Sequence, residues 1–409
     1  MSEEDPIPGR PPQPHTPPPT PTTPPPGGQA GAGKPGRVED TPDGREPSPP
    51  GAFERSAEWL RGEGDASDVV LSSRVRVARN LAGFPFMTTA SRVDRTQILD
   101  LCRRRLLGIQ SGEGRRVLWV DLHTATHDER DLLVERQLIS RNQAKGKLSS
   151  GAGGPDEPRG VAVILPDERV SVMVNEEDHL RLQSIHSGLS LNECLADVDS
   201  VDDELEKGLD FAFHPRFGYL TACPTNVGTG LRLSVMLHLP GLKMTGELER
   251  ASRAAHDMGL AVRGFYGEGS EAAGEFYQVS NQTTLGKSDA VLLRELSDEI
   301  IPRLVGYERH ARQKLLGDRR LSTHDAVARA LGTLRHARML RASESMELLG
   351  LVRLGVLGGL LPSITIDQVH ALLLAVQPGH LQRATGRILT PQERRGARAD
   401  LCRARMGGS

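Results

Sequence analysis

The chain has 409 residues and a formal net charge of −2, which fits roughly two to three domains and gives no overall argument for binding to nucleic acid or to membranes. No apolar stretch approaches the ~18 residues of a transmembrane helix, the N-terminus lacks the apolar core of a signal peptide, and the four cysteines form no CxxC pair that would indicate a zinc site or a disulfide framework. We therefore expect a soluble, cytoplasmic protein that binds no metal through its own side chains.

The first segment, residues 1–52, holds 17 of the 28 prolines. It has almost nothing apolar to bury, so we expect a disordered, partly polyproline-II tail. Within it Gly28, Gly33 and Lys34 fit most of a P-loop, but Pro35 stands where Ser or Thr is required and no strand precedes the motif. We interpret this stretch as linker.

Residues 53–298 have a globular pattern of short apolar runs and helical spacings. The pattern predicts strands at residues 69–78, 116–120, 161–165, 170–174, 219–223 and 262–266. It predicts helices at residues 91–107, 129–139, 201–210, 231–239 and 245–258, and a surface loop at residues 145–160. Separate strands with helices between them indicate an α/β or α+β domain, and the arrangement favours α+β with a mainly antiparallel sheet flanked by helices.

Residues 299–409 show only helical spacing, which predicts a small all-helical domain. The predicted helices cover residues 303–315, 323–331, 343–354, 366–375 and 391–405. Thr323 and Ser343 have the character of N-caps, and Thr390 followed by Pro391 is typical of a helix start with proline at the first position.

A charged cluster, residues 175–181, follows the apolar strand predicted at residues 170–174 and contains three adjacent carboxylates, a histidine and Arg181. In isolation an acidic run of this kind most often marks a solvated turn. A buried, unpaired carboxylate is costly, so a functional cluster would lie at a strand end and face a charged ligand.

Several arginines occur in settings that suit a polyphosphate. Arg74 and Arg76 lie on one face of a strand because side chains alternate. Arg181, Arg232 and Arg263 lie near other strand ends or glycine-rich segments. A single arginine is usually a surface ion-pair partner, but five together could clamp phosphate oxygens.

Carboxylates beside a phosphate clamp suit a cationic acceptor such as a guanidinium group. Glu177 and Glu268 could pair with that group from two sides, and one could accept its proton. Cys223 could add a thiolate if cationic surroundings lower its pKa. The alternative for Cys223 is a small buried core residue.

Four motifs together resemble the ATP:guanidino phosphotransferases, or phosphagen kinases. They are Ser-Ser-Arg-Val-Arg at 72–76, Asn-Glu-Glu-Asp-His-Leu-Arg at 175–181, Cys-Pro-Thr-Asn-Val-Gly-Thr-Gly-Leu-Arg at 223–232 and Arg-Gly-Phe-Tyr-Gly-Glu at 263–268. The resemblance covers about residues 69–290. The last motif, with residues 280–287, is similar to the bacterial protein-arginine kinase branch, as are the C-terminal helices and the proline tail that stands where a folded N-terminal domain would be.

The resemblance implies a kinase that transfers the γ-phosphoryl group of ATP, with Mg²⁺, to arginine side chains of proteins. It implies that Glu177 is the catalytic base, that Glu268 is the second guanidinium carboxylate and that Cys223 assists them. The ATP-binding residues that it implies are Ser72, Ser73, Arg74, Val75, Arg76, Gln137, Arg181, Arg232, Leu233, Ser234, Val235, Met236, Arg263, Gly264, Phe265, Tyr266, Gly267 and Glu268.

Partners are also implied by the resemblance alone. They are a heat-shock repressor and damaged proteins as substrates, a zinc-binding activator, a downstream ATP-dependent protease and a second copy of the chain in a homodimer. The resemblance places the protein in stress control and regulated proteolysis. From the composition and charge we expect no membrane and no direct nucleic-acid contact.

The sequence departs from the family at two places. Gln137 stands where the family usually has a nucleotide-contacting histidine, and Arg395 stands where the C-terminal phosphoarginine motif has an acid. Arg394 and Arg398 could still hold a phosphoryl group at i, i+4 spacing, or they could belong to a solvated basic helix. Two rival functions stay open: a kinase of free arginine or another small guanidine, and a non-catalytic phosphoarginine-binding adaptor.

Overall fold

The computed structural model describes residues 53, 56–109, 114–147, 153–265 and 273–407. Eight strands form one sheet in which every neighbouring pair is antiparallel, in the order β2-β3-β4-β5-β1-β8-β10-β9, and β6 and β7 form a separate hairpin. The strands are β1 Val70–Arg79, β2 Arg116–Asp121, β3 Gly160–Leu165, β4 Val170–Val174, β5 Leu180–Ser187, β6 Phe213–His214, β7 Gly218–Tyr219, β8 Leu231–His238, β9 Leu260–Gly264 and β10 Phe276–Asn281.

Helices flank this sheet and make up the C-terminal part of the chain, which confirms the predicted α+β class. They are α1 Arg92–Leu107, α2 His127–Glu135, α3 Arg141–Lys145, α4 Leu191–Glu206, α5 Pro240–Thr245, α6 Leu248–Asp257, α7 Asp289–Arg294, α8 Ile301–Gly317, α9 Arg320–His336, α10 Ala342–Leu357, α11 Ile366–Ala375, α12 Pro378–Thr385 and α13 Pro391–Met406. In the part of the chain that is described, no helix is both long and apolar enough to cross a membrane.

The prediction of a helix at residues 231–239 is wrong, because this segment forms β8 near the centre of the sheet. Leu231, Leu233, Val235 and Leu237 are all buried in one core cluster. Their spacing has the period of two that a strand requires. Met236 faces the other side of the sheet but is also apolar, so the sequence does not show a regular alternation of apolar and polar residues.

The helix predicted at residues 129–139 ends early, at Glu135. Arg136 is buried and its guanidinium donates two hydrogen bonds to Glu168, at 2.6 and 2.9 Å. Gln137 then adopts a left-handed conformation with φ 63°, which stops the helix. This reversal turns the Gln137 side chain towards β1.

Other predicted boundaries also change. Of the strand predicted at residues 219–223 only Tyr219 is extended in a ladder, because the Ala222 N–H donates to the Asp178 carboxylate instead. Thr323 and Ser343 are not N-caps, since both lie inside helices. Thr390 does cap α13, with Pro391 in the first turn. Among the described elements, no predicted helix or strand covers helices α3, α5, α7 and α12 or strands β5, β6 and β10, apart from the last residue of α5.

The two faces of the sheet have different coverings. One face carries Val75, Val77 and Leu182 and packs against α1, α4, α7 and α8 in the largest core cluster. On the other face Met236 and Phe276 belong to an apolar cluster shared with α9, α10, α11 and α13. The rest of that second face carries the arginines, so the C-terminal helices cover only its apolar part.

Candidate active site

The arginine-rich part of the second sheet face is assembled by strand register. Arg76 lies opposite Arg232 of β8 and opposite Gln183 of β5, while Arg74 lies opposite Ser234. On the far side Gln278 of β10 pairs with Arg263 of β9. Cross-strand partners point to the same face of a sheet, so arginines that are distant in sequence meet on one surface.

These side chains line an open cleft of about 590 Å³. Among the residues that the structure describes, its lining contains eight cationic side chains and two carboxylates, Glu176 and Glu177. The cations are Arg74, Arg76, Arg141, Lys145, Lys147, Arg181, Arg232 and Arg263. A concave surface with this charge balance suits a polyanion such as a triphosphate.

Two amide side chains hold Arg74 in position. Its Nη1 donates to Gln137 Oε1 at 3.1 Å and its Nη2 donates to Gln278 Oε1 at 2.7 Å. Burial, with the charges of Arg232 and Arg181, lowers the pKa of Arg74 to about 10. Two neutral amides therefore hold this guanidinium in place without neutralising it.

Arg76 lies deeper in the same charge cluster. Burial and then the charges of its arginine neighbours lower the pKa of Arg76 well below its ordinary value. Within the described residues its buried Nε has no hydrogen-bond partner. A cationic group without a carboxylate partner is costly in the protein alone and favours an anionic ligand.

The charged cluster at residues 175–181 forms a tight turn between β4 and β5. Arg181 bridges two of its carboxylates, with Nη1 2.6 Å from Glu176 Oε2 and Nη2 2.8 Å from Glu177 Oε2. Burial lowers the pKa of Arg181, but the charges of Glu176, Glu177 and Asp178 outweigh it and the net shift is upward. The Glu177 side chain is one-third exposed to the cleft (33%).

The third carboxylate, Asp178, points away from the cleft and is fully buried. Its Oδ1 accepts hydrogen bonds from Asn80 Nδ2 and from the Ala222 backbone, both at 2.6 Å. Burial raises the pKa of Asp178, and these two donors partly offset the shift. Asp178 thus connects the acidic turn to the segment that leads into Cys223.

Cys223 is partly exposed rather than a core residue. Its Sγ lies 3.0 Å from Thr225 Oγ1, at the start of a short 3₁₀ turn over Pro224–Asn226. It stands one residue after Ala222, which is bound to Asp178. Partial exposure does not fit the alternative of a buried core cysteine. Cys223 is not among the described residues that line the cleft, so its assisting role stays a prediction.

A narrow slot adjoins the cleft beyond Arg74. It has a volume of about 10 Å³ and is lined by Trp59, Ser72, Arg74, Gln137, Ile185, Ser234, Met236, Phe265 and Gln278. Five of the predicted ATP-binding residues besides Arg74 are among them. A slot of this volume has room for about one water molecule, so nucleotide binding by these residues stays a prediction.

Other predicted ATP-binding residues lie elsewhere. Val75, Leu233 and Val235 are buried in the core on the opposite sheet face. Ser73 also faces that side and donates to the Gly188 carbonyl at 2.8 Å. Gly264 ends β9 next to Phe265. Three predicted residues lie outside the described residues: Tyr266, Gly267 and Glu268.

One wall of the cleft contains none of the predicted site residues. Helix α3 and its flanks contribute Ser140, Arg141, Asn142, Lys145 and Lys147 to the lining. The Ser140 hydroxyl caps α3 and also donates to Glu176 Oε1 at 2.6 Å. The sequence signal is weak: of these residues Lys145 and Lys147 lie in the loop predicted at residues 145–160, and basic residues in a loop are usually solvated.

The two C-terminal arginines have structural partners. Arg398 is buried, with Nε donating to the Val376 carbonyl at 2.6 Å and Nη1 to the Leu340 carbonyl at 2.9 Å. Arg394 Nη1 donates to the Leu389 carbonyl at 2.8 Å. These bonds tie α13 to its neighbours, and phosphoarginine binding by the pair stays a prediction.

Two family models match adjacent parts of the chain. Residues 101–311 match the ATP:guanido phosphotransferase C-terminal catalytic domain, and residues 320–408 match the protein-arginine kinase McsB C-terminal domain. Among curated proteins, the chain is similar to the protein-arginine kinase of Symbiobacterium thermophilum, with 45% identity over 85% of this chain and 96% of the relative. It is also similar to that of Geobacillus stearothermophilus, with 40% identity over 85% of this chain and 93% of the relative.

Solved structures with the same fold are phosphagen kinases. A duplicated taurocyamine kinase from Schistosoma mansoni has 27% identity and a TM-score of 0.51, covering 59% of this chain and 33% of that one. A lombricine kinase has 25% identity and a TM-score of 0.50, covering 64% of this chain and 72% of that one.

Proposed function

The chain belongs to the protein-arginine kinase family of ATP:guanido phosphotransferases, and we propose that its cleft transfers the γ-phosphoryl group of ATP to arginine side chains of proteins. One observation carries the assignment of the site. Glu177, the partly exposed carboxylate of the acidic turn, faces the same cleft as the arginines of the sheet. A guanidinium acceptor and a triphosphate donor need this combination of charges.

The sheet arginines and Gln137 would hold the nucleotide. Arg74, Arg76, Arg232 and Arg263 are fixed on strands and present cationic groups to one cleft. Because their positions are set by the sheet, little reorganisation is needed when phosphate charge develops in the transition state. Mg²⁺ would reach the site with ATP and would neutralise charge on the phosphate oxygens.

Glu177 would orient the acceptor and take its proton. The ion pair with Glu176 holds Arg181 at 2.6 Å, so Glu177 can exchange its contact with Arg181 for the incoming guanidinium while Arg181 keeps one carboxylate. A guanidinium nitrogen then attacks the γ-phosphorus as the bond to ADP breaks, and its proton passes to Glu177. Glu268 is proposed as the second carboxylate, and Cys223 as a nearby polarisable group.

The cellular setting is proposed from the family resemblance alone. We propose a cytoplasmic homodimer that acts on a heat-shock repressor and on damaged proteins. A zinc-binding activator and an ATP-dependent protease would act with it in regulated proteolysis and stress control.

Mass spectrometry of an arginine-rich protein incubated with the chain and Mg-ATP tests the proposed function. We expect acid-labile phosphate on arginine nitrogen, and much slower turnover of free L-arginine. Phosphate on free arginine alone would support a small-guanidine kinase instead. Binding of phosphoarginine without transfer in the presence of Mg-ATP would support an adaptor.

A further inference from the structure

A second cavity adjoins the cleft on the side away from the sheet arginines. It has a volume of about 550 Å³ and shares Val134, Arg141 and Lys145 with the cleft. Beyond them it runs between α2 and the C-terminal helices and is lined by His127, Arg130, Asp131, Glu135, Ala144, Pro155, Ala342, Gln377 and Pro378. A groove that continues from the catalytic cleft could hold the substrate polypeptide on either side of its target arginine.

Most charged groups in this second cavity already have partners inside the protein. Glu135 accepts from the Gly379 and His380 backbone N–H groups at 2.7 and 2.9 Å. Asp131 lies 3.1 Å from the His127 ring. Arg130 Nη1 donates to two backbone carbonyls. These groups therefore shape the groove more than they select what enters it.

Two lysines differ from these groups. Lys145 stands at the boundary between the two cavities, Lys147 lines the cleft two residues later, and both are exposed. Within the described ranges neither has an ion-pair partner. Their ammonium groups are thus available to a ligand that carries carboxylates.

The charge of the cleft indicates the same kind of ligand. Among the described residues, eight cations and two carboxylates line it, the proposed Glu268 would add a third carboxylate, and the magnesium complex of ATP brings a net charge of about −2. The site stays positive with nucleotide bound, although its acceptor is itself cationic. A polypeptide whose other side chains are acidic reduces this repulsion, whereas flanking lysines or arginines increase it.

We propose that Lys145 and Lys147 bind carboxylate side chains next to the target arginine, so that the enzyme selects arginines in acidic segments that lie along the groove. This inference rests on the proposed function. The competing role is contact with ATP phosphates, since both lysines also line the cleft. Against that role, the sheet arginines are already fixed around the cleft, and Lys145 extends into the second cavity, whose described lining contains none of them.

The test uses the full chain and three versions of one carrier protein with a flexible tail. Each tail has a single arginine, flanked on both sides by two glutamates, two glutamines or two lysines. Transfer of labelled phosphate gives kcat/KM for each tail, and KM for ATP is measured in parallel. We expect wild-type enzyme to prefer the glutamate tail over the glutamine tail by roughly tenfold, and more at low ionic strength.

The double variant K145E/K147E should abolish this preference and improve turnover of the lysine tail, a gain that mere structural damage would not produce. The control is Lys243→Glu, which reverses the charge of an exposed side chain on α5 that lines neither cavity. This variant should keep the wild-type preference for the glutamate tail.

Three outcomes would overturn the inference. The first is equal wild-type turnover of the glutamate and glutamine tails. The second is a rise in KM for ATP in K145E/K147E with the tail preference retained, which would make the lysines nucleotide ligands. The third is no phosphate on any tail from wild-type enzyme, which would count against the proposed function itself.

Discussion

The three carboxylates of the acidic turn have different surroundings, and each surrounding fits a different role. Glu176 is buried, accepts from Ser140 and holds Arg181. Asp178 is buried behind the cleft and binds the segment before Cys223. Only Glu177 keeps a side chain that is accessible to a guanidinium in the cleft.

At this scale we predict that Glu177→Gln, which keeps the shape and removes the charge, lowers kcat by roughly 10²–10⁴-fold because the acceptor loses its base. Affinity for ATP should change little, since the sheet arginines remain. A phosphate-transfer assay quenched at successive times measures kcat, and a nucleotide titration measures the affinity for ATP. Glu347→Gln, at an exposed position in α10, is the matched control. Wild-type kcat in Glu177→Gln would show that another group takes the proton.

At the scale of elements, the sequence predicts those whose pattern is unambiguous. Strand β4 has its predicted bounds, because short length and β-branched residues favour a strand over a buried helix segment. The turn after α2 was missed, because the left-handed Gln137 is held by tertiary contacts of Arg136 that local propensity does not contain. Helix α3 was missed for a similar reason, as five polar and small residues have no apolar periodicity.

Among the site residues too, those marked by a local pattern or a motif were predicted, and those brought in by tertiary structure were not. Alternation along β1 correctly placed Arg74 and Arg76 on one face, and the family motifs pointed to Arg232 and Arg263. Which residues lie opposite each other across strands depends on strand register. Because the sequence pattern predicts a helix at residues 231–239, the pairing of Arg76 with Arg232 could not be predicted. The wall formed by α3 had no motif at all.

A buried polar cluster between β8, α10 and α11, formed by His238, Arg353 and His370, predicts how stability depends on pH. His370 accepts from Arg353 Nε at 3.1 Å and its Nδ1 lies 3.0 Å from the Leu60 carbonyl oxygen. Burial and the charge of Arg353 lower the pKa of His370 from 6.5 to about 4. His238, also beside Arg353, has its pKa lowered by burial as well.

The unfolded chain takes up a proton at His370 below about pH 6.5, whereas the folded chain does so only near pH 4. Stability is therefore fully present above pH 6.5 and falls as the pH decreases through this window, by roughly 3 kcal/mol for His370. Urea unfolding between pH 7.5 and pH 4.5 measures the slope. His370→Gln should flatten it, and His324→Gln, at an exposed position, should not. Equal slopes in wild type and His370→Gln would contradict this account.

At the scale of the whole molecule, the sheet and the C-terminal helices share one apolar cluster. Phe276 of β10 is fully buried there, with its ring 4.7 Å from His238 and 5.7 Å from Phe265. Trp59 lies at the same cluster, 6.1 Å from Phe265. Because both parts of the chain bury surface against each other, we expect them to unfold together.

Phe276→Ala should lower the free energy of unfolding by roughly 3–5 kcal/mol, the usual cost of a large cavity. Tryptophan fluorescence and far-ultraviolet circular dichroism should shift to the same lower denaturant midpoint, because one core is affected. Phe217→Ala, at a partly exposed ring, should leave the midpoint nearly unchanged. Two separate transitions would show that sheet and helices unfold independently.

Side chains along β1 alternate between the cleft and the core, and this alternation limits which insertions and deletions the strand can tolerate. Ser72 and the two arginines after it face the nucleotide cleft at every second position, while Val75 and Val77 face the core. Deleting or inserting one codon between these positions would turn guanidinium groups into the apolar core and valines into the cleft. Substitutions along β1 would affect one side at a time, whereas a single change of length would damage binding and folding together.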